Sequence, residues 1–184
     1  MKNIILGITG SIAAYKGADI ANTLTKDGHA VQVIMTASAQ RFINVITFQT
    51  LTKKRVYTEL FDEFIYEDVR HISLAQQADL ALIAPATANI IGKLASGIAD
   101  DMLTAVIMAI QKKPVVICPA MNTAMYENPI TQDNIKKLTE YGYHFVEPRE
   151  SRLACGDLGK GALADLNTIL DTVHSLLEQY YGKN

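Results

Sequence analysis

The sequence predicts an α/β fold, in which helices wind both faces of a parallel β-sheet into three layers within a single domain. Short apolar runs alternate with helical patterns along the 184 residues, which is typical of strands joined by crossover helices. The runs are apolar throughout, as expected for strands that helices cover on both faces. Hydrophobic residues make up 49% of the chain, a share that supports a globular core and excludes a disordered chain.

Each element follows from a local pattern. Asn3–Ile8 is a buried strand, and Ser11–Lys26 has apolar residues at helical spacing before Gly28, a helix stop signal. Pro85 and Pro119 each end a strand. Residues 56–68 are ambiguous between a short strand and an acidic loop. Further strands are predicted at 30–35, 80–84, 115–118 and 144–146, and further helices at 37–52, 71–76, 87–95, 101–110, 128–141 and 165–181.

Composition excludes several classes of protein. The net charge of −2 gives no electrostatic basis for binding nucleic acid or an anionic membrane. The four histidines are scattered without the spacing of zinc ligands, so no metal site is predicted. Two cysteines without a C-x-x-C motif favour a reducing compartment. No apolar run approaches the ~18 residues of a membrane span, and the short run at 4–8 lacks the features of a signal peptide. The expectation is a cytoplasmic protein.

Ligands bind such sheets beyond the carboxyl ends of the strands, and this rule selects turns at 9–11, 36–38, 85–87 and 119–122. In the first turn, Gly10 permits close backbone approach and Ser11 can cap a helix whose N–H groups suit a phosphate. The turn lacks G-x-G-x-x-G, and Met35 and Thr36 stand where a dinucleotide ribose needs an acidic residue. A mononucleotide phosphate is therefore favoured over a dinucleotide. An ordinary tight turn with a good helix cap is an equally open interpretation.

Four polar side chains near the other turns are candidates for binding or proton transfer. Thr87 and Asn89 offer hydrogen bonds after the third strand, or serve only as a strand stop and helix cap. Asn122 stands among methionines just past a strand, either as a turn residue or as a ligand for a substrate carboxylate or amide. His71 can exchange protons near neutral pH, although a partly exposed histidine at a helix end is the alternative.

The segment 147–164 contains Cys155 and is rich in glycine. Gly156, Gly159 and Gly161 fall within six positions, which predicts a mobile loop rather than a helix or a strand. Loops contribute to chemistry more often than to packing, so the thiol is a candidate for chemistry. Composition argues against a metal ligand or a disulfide, and nucleophilic attack stays open.

Four segments together resemble the family of flavin-dependent cysteine decarboxylases. Residues 7–16 resemble its flavin turn, 85–89 its Pro-Ala-Ser-Ala-Asn-Thr motif, 119–126 its Pro-x-Met-Asn-x-x-Met-Trp motif, and 154–161 the loop of its phosphopantothenoylcysteine decarboxylase branch. Four motifs in this order are highly specific and cover nearly the whole chain. The resemblance implies a Rossmann-like, flavodoxin-like flavoprotein domain over residues 1–184 in a stand-alone form. It also implies that the loop 147–164 covers the substrate.

The resemblance implies FMN as the cofactor. Thr87 replaces the family's serine and keeps the hydroxyl, Ile90 replaces a threonine and loses a hydrogen bond to the flavin, and Tyr126 replaces tryptophan. The residues assigned to FMN are Gly10, Ser11 and Ile12 with Ser38 at the phosphate, Thr87, Ala88, Asn89 and Ala120 at the rest of the cofactor, and Phe48 beside the ring.

The implied reaction is the decarboxylation of 4'-phosphopantothenoylcysteine to 4'-phosphopantetheine in coenzyme A biosynthesis, through a thioaldehyde and an enethiolate. His71 handles protons, Asn122 binds the substrate carboxylate, Met125 shapes the wall and Cys155 protonates the enethiolate. Ala154 and Gly156 complete the substrate site. Members of the family form homotrimers that often assemble into dodecamers, with the flavin near a subunit interface.

Three relatives offer alternative functions. Peptidyl-cysteine decarboxylases stop at the enethiol and need no proton-donating cysteine, so Cys155 counts against that activity. The flavin prenyltransferase branch lacks the pattern of Asn122 and Cys155. Non-enzymatic flavin-binding regulators usually have acidic tails, and this sequence has none.

Overall fold

The central sheet consists of five parallel strands in the order β2-β1-β3-β4-β5. The computed structural model describes residues 1–61, 69–152 and 158–182. The order 2-1-3-4-5 is that of flavodoxin-like doubly wound folds, so the predicted class is confirmed. The strands are β1 Asn3–Ile8, β2 Ala30–Met35, β3 Leu80–Ala86, β4 Val115–Pro119 and β5 His144–Phe145.

Helices cover both faces of the sheet and complete the three layers. The helices are α1 Lys16–Lys26, α2 Val45–Thr52, α3 Arg70–Gln77, α4 Ala88–Ala95, α5 Met102–Ala109, α6 Thr123–Tyr126, α7 Pro129–Glu140 and α8 Leu166–Tyr181. Helices α1, α2 and α8 pack on one face, and α3, α4, α5 and α7 pack on the other. Because successive side chains of a strand point to opposite faces, Ile4 and Leu6 enter the first core and Ile5 the second.

Residues 149–152 and 158–162 form two paired antiparallel strands, here called the hairpin, where the sequence predicts a loop. Strands β6 Arg149–Arg152 and β7 Leu158–Ala162 pair with each other, so the prediction that this segment contains no strand is wrong. The cross-strand hydrogen bonds stabilise an extended backbone that glycine content alone does not indicate. Residues 153–157 lie outside the described residues, and the predictions for Ala154, Cys155 and Gly156 fall there.

The predicted helix at 37–52 is divided in two. A 3-10 turn at Ala39–Arg41 is followed by α2, which begins after Asn44. Asn44 has an extended backbone, and its side-chain oxygen accepts a hydrogen bond from the N–H of Ile46 at 3.0 Å. This N-cap interrupts the helix, because capping side chains compete with helical backbone bonds.

Strands β3 and β4 continue beyond the positions predicted for their ends. β3 includes Pro85 and Ala86, and its register with β4 shifts between Ile83 and Ala86, where the Ala84–Pro85 peptide is cis. Pro119 belongs to β4. In the ambiguous segment 56–68, Tyr57 forms an isolated parallel bridge with Ile34, and residues 62–68 are not described.

Two further features concern membranes and metals. Across the described ranges, no helix is both long and apolar enough to cross a membrane. The same ranges hold no cluster of three or more His, Cys, Asp or Glu side chains suited to a metal ion.

Helix α5 is fixed at its start by Asp101. The Asp101 carboxylate accepts a hydrogen bond from the N–H of Thr104 at 2.9 Å, and the Thr104 hydroxyl accepts one from the N–H of Asp101 at 3.1 Å. Both Asp100 and Asp101 also contact the ammonium group of Lys93, at 2.7 and 3.2 Å.

We expect Asp101→Ala to lower the free energy of unfolding by about 1–2 kcal/mol, the usual loss for an N-cap. Asp100→Ala is the matched control, because it removes an ion pair with Lys93 and leaves the cap intact. In urea unfolding, Asp100→Ala should lower the free energy of unfolding by less than Asp101→Ala does. Equal losses would show that the ion pair, and not the cap, holds the start of α5.

Candidate active site

The turns after β1, β3 and β4 converge at the carboxyl edge of the sheet. In the order 2-1-3-4-5, the chain leaves β1 toward β2 and leaves β3 toward β4, in opposite directions. The crevice between such strands is where doubly wound folds bind ligands. The rule that ligands bind beyond the carboxyl ends of strands, which selected these three turns from the sequence, therefore leads to a single crevice.

Thr9 joins the turns after β1 and β3. Its side chain is buried, with 2% exposure. The hydroxyl donates to the backbone oxygen of Pro85 at 2.6 Å and accepts from the N–H of Thr87 at 3.1 Å. The hydroxyl therefore both donates and accepts a hydrogen bond, and both partners lie at or just beyond the end of β3. Thr9 falls in the turn that the sequence selects at 9–11, but the sequence predicts no role for it. The signal that could have shown its role is a hydroxyl at the end of an apolar strand.

Ser11 extends the connection to β4. Its hydroxyl donates to the backbone oxygen of Ala120 at 3.3 Å and accepts from the N–H of Ala13 at 3.3 Å, which caps the 3-10 turn before α1. The N–H of Ala120 donates to the backbone oxygen of Ala86 at 2.9 Å. The three turns are thus linked by hydrogen bonds rather than only placed side by side.

A cleft of about 500 Å³ lies over these turns, a volume within the usual range for small-molecule sites. Its walls include Ile12, Tyr15 and Lys16 from the first turn and the start of α1, and Arg149 and Gly161 from the hairpin. Among the described residues that line it, the charged ones are Lys16 and Arg149, and both are cationic. The cleft therefore suits an anionic ligand.

Gly10 forms a cradle with Ser38. A Cβ atom on Gly10 would clash with the Cβ of Ser38, so only glycine permits this close approach. Ser38 is exposed, and its side chain makes no capping hydrogen bond to the 3-10 turn that follows. Ser38 therefore packs against the turn that contains Ser11, but it does not line the cleft, so its contact with a phosphate stays a prediction.

Most of the predicted cofactor and substrate residues meet at the cleft. Thr87 caps α4 by accepting from the N–H of Ile90 at 3.5 Å. Ala88 and Asn89 follow it at the start of α4 but do not line the cleft, so their contacts stay predictions. The predicted residues that line the cleft are Gly10, Ser11, Ile12, Thr87, Ala120, Asn122 and Met125.

Asn122 lies just beyond β4 as the N-cap of α6. Its side-chain oxygen accepts from the N–H of Ala124 at 2.8 Å. Met125, half exposed, follows on the same short helix. The sequence did not predict α6, because four residues are too few to show a helical period.

Phe48 and His71 do not line the cleft within this chain. Phe48 has no exposed surface and packs in the core between α1, α2 and the sheet, so its predicted contact with the ring stays a prediction. His71 is half-buried at the start of α3, which packs against α5 on the face opposite α1 and α8. The spacing of the sequence could not show on which face of the sheet α3 packs.

Cys118 is a core residue. Its side chain has no exposed surface, and burial raises the pKa of the thiol far above its usual range. Cys118 therefore stays a protonated thiol in the sheet interior. Of the two cysteines, only Cys155 is a candidate for chemistry at the cleft.

The fold and the cleft define an α/β protein with a mononucleotide-type site at the β1/β3 switch point. The sequence profile of the Flavoprotein family matches residues 1–178. The chain belongs to this family, which confirms the resemblance drawn from the four motifs.

Curated relatives are similar over the whole chain. The probable phosphopantothenoylcysteine decarboxylase of Streptococcus mutans is 50% identical over 96% of this chain and 99% of that protein. The coenzyme A biosynthesis bifunctional protein CoaBC of Bacillus subtilis is 48% identical over 99% of this chain, which spans 44% of that longer protein.

Solved structures with the same fold include two decarboxylases. One is a cysteine-to-serine mutant of PPC decarboxylase complexed with pantothenoylaminoethenethiol, with a TM-score of 0.86 and 33% identity over 96% of this chain and 98% of that chain. The other is the FMN-dependent cysteine decarboxylase SpaF, with a TM-score of 0.85 and 31% identity over 98% of this chain and 97% of that chain.

We expect Thr9→Val to lower the free energy of unfolding by about 1–3 kcal/mol, because it leaves two buried backbone groups without their partner. Thr9→Ser keeps the hydroxyl and should retain most of the stability. Urea unfolding of both variants tests this. If the serine variant is as unstable as the valine variant, the methyl group matters more than the hydrogen bonds.

Proposed function

We propose that this chain catalyses the FMN-dependent decarboxylation of 4'-phosphopantothenoylcysteine to 4'-phosphopantetheine, a carboxy-lyase reaction of coenzyme A biosynthesis. The observation on which this depends is the convergence of the Gly10–Ser11 turn, Thr87 and Asn122 on one cleft at the switch point. The relative from Streptococcus mutans, which is 50% identical to this chain, supports the same function, and so does the similarity to the solved structure of PPC decarboxylase.

The described residues fit FMN. The Gly10–Ser11 turn lines the cleft, and the charged side chains among its described lining residues, Lys16 and Arg149, are cations that suit a phosphate. FMN binds at the same switch point in other flavodoxin-like sheets. Gly10, Ser11, Ile12 and Ser38 would hold the phosphate, and Thr87, Ala88, Asn89 and Ala120 the rest of the cofactor. When bound, FMN supplies reversible acceptance of a hydride.

Asn122 and Met125 form the proposed substrate wall. The hydrogen bond from the N–H of Ala124 fixes the orientation of the Asn122 amide. An amide NH2 group is a donor that suits a carboxylate, so Asn122 would hold the carboxylate that leaves as CO2. Met125 would contact the apolar part of the substrate.

Cys155 is the proposed proton donor to the enethiolate, with Ala154 and Gly156 beside the substrate. The strands on either side of this segment reach the cleft through Arg149, Ser151, Gly161 and Ala162. A cysteine thiol has a pKa of about 8.5 in the absence of perturbation and is protonated at neutral pH, as an acid must be. We also propose a cytoplasmic location, because a reducing compartment keeps a cysteine thiol from forming a disulfide.

The proposed role of His71 requires a second subunit. His71 does not line the cleft of its own chain, so a neighbouring subunit would have to place it near the substrate. We propose a homotrimer, which can assemble further into a dodecamer. Apolar side chains at the mouth of the cleft support an interface there, since Ile12 is 62% and Tyr15 58% exposed.

Purified protein should be yellow and should convert 4'-phosphopantothenoylcysteine to 4'-phosphopantetheine with one CO2 released per product. Chromatography with mass detection measures product, substrate and any enethiol. A peptide that ends in cysteine is the control substrate and should not react. A protein that does not bind FMN, or that acts only on the peptide, would refute the proposal.

Cys155→Ser should still release CO2 but should form 4'-phosphopantetheine at least about 100-fold more slowly, the usual loss on removing a general acid. The oxidised enethiol should accumulate in its place. Cys118→Ala is the matched control, because it removes a buried thiol that does not line the cleft, and it should keep the ratio of product to CO2. An unchanged yield of product in Cys155→Ser would remove Cys155 from the mechanism.

A further inference from the structure

Three polar side chains meet just outside the cleft: Tyr126, Glu147 and Lys160. The Tyr126 hydroxyl donates to Oε2 of Glu147 at 3.0 Å. The ammonium group of Lys160 contacts the same oxygen at 2.5 Å and lies 5.6 Å from the centre of the Tyr126 ring. One carboxylate oxygen therefore accepts from both partners.

The three residues belong to three different elements. Tyr126 ends α6, Glu147 lies between β5 and β6 at the entry to the hairpin, and Lys160 lies in β7. Tyr126 is itself held in place, because its backbone oxygen accepts from the side chain of Gln132 at 2.5 Å. The Glu147 carboxylate thus connects the hairpin with the helix that begins beside Asn122.

Strand β7 lies directly against the start of α6, backbone to backbone. A Cβ on Gly159 would clash with the Thr123 hydroxyl, and a Cβ on Gly161 would clash with the backbone oxygen of Met121. The N–H of Met121 donates to the backbone oxygen of Gly161 at 2.9 Å. Because glycine has no side chain, this interface has few side-chain contacts. The alignment of β7 with α6 therefore depends on neighbouring interactions.

We propose that Tyr126, Glu147 and Lys160 form a polar clip that holds β7 against α6 and positions the substrate wall of the cleft. Met121, Asn122 and Gly161 all line the cleft at this contact. The opposite wall is held separately by the hydrogen bonds of Thr9 and Ser11. The clip therefore acts on the substrate wall and not on the cofactor wall. Its effect on the reaction rests on the proposed function, whereas its effect on the contact does not.

The charges needed for the clip are present at neutral pH. The hydrogen bond from Lys160 holds the pKa of Glu147 below its usual range, and the same bond raises the pKa of Lys160. Burial and the nearby Glu147 raise the pKa of Tyr126, so its hydroxyl stays a donor. The Glu147 side chain is 65% and the Lys160 side chain 40% exposed. Exposed pairs contribute little to global stability, so their removal should act locally without unfolding the protein.

Amide hydrogen exchange of the FMN-loaded protein tests the contact directly. In Glu147→Gln and Lys160→Met, exchange in the peptide that contains Met121 should rise roughly three- to fivefold, as expected for the loss of a weak local interaction. Lys160→Arg keeps the charge and should match the wild type. Unchanged exchange at Met121 in both Glu147→Gln and Lys160→Met would refute the clip.

Kinetics test the effect on the substrate wall. The KM for 4'-phosphopantothenoylcysteine should rise roughly fivefold in each single variant, with FMN content unchanged, and the double variant should be no worse than either. Unchanged KM values, or additive losses of roughly 25-fold in the double variant, would refute the positioning role. If exchange rises as predicted but the wild type does not convert the substrate, the proposed function fails and the clip stands.

Discussion

The hydroxyl of Thr9 occupies the point where the order of the parallel sheet reverses. It is buried, and it satisfies a carbonyl and an N–H of the chain that leaves β3. A buried backbone group without a partner is costly, so these two bonds hold the turns after β1 and β3 in fixed relation. Ser11 extends the network to β4, and the N–H of Met121 extends it from β4 to the hairpin. The relative positions of the turns after β1, β3 and β4 therefore depend on bonds that begin at Thr9.

The two walls of the cleft are held by different physical means. The wall with Gly10, Ser11 and Thr87 depends on buried and part-buried hydrogen bonds, which resist displacement and suit a cofactor that stays bound. The wall with Asn122 depends on a backbone contact between α6 and β7 and on an exposed polar cluster beside it. A more loosely held wall suits a substrate that enters and leaves with each turnover.

The sequence predicts best those elements whose patterns are local. Strands β1 and β2 begin and end as their apolar runs indicate, and the rule that ligands bind beyond strand ends leads to the residues that line the cleft. The hairpin was missed because its strands are stabilised by each other, and glycine-rich composition gives no signal of cross-strand bonds. Phe48 and His71 depend on how α2 and α3 pack against the sheet, which local spacing does not reveal. The role of Thr9 depends on a bond to a residue 76 positions away.

A crystal structure of the protein with bound FMN would show whether the turns that Thr9 and Ser11 hold together form the cofactor site. We expect the FMN phosphate to lie within hydrogen-bonding distance of Ser11 and Ser38, with the rest of the cofactor beside Thr87 and Ala120. The hydroxyl of Thr9 should keep its bonds to Pro85 and Thr87 in that structure. A phosphate bound elsewhere on the sheet, or a flavin that enters only after these bonds break, would show that the cofactor site does not depend on this network.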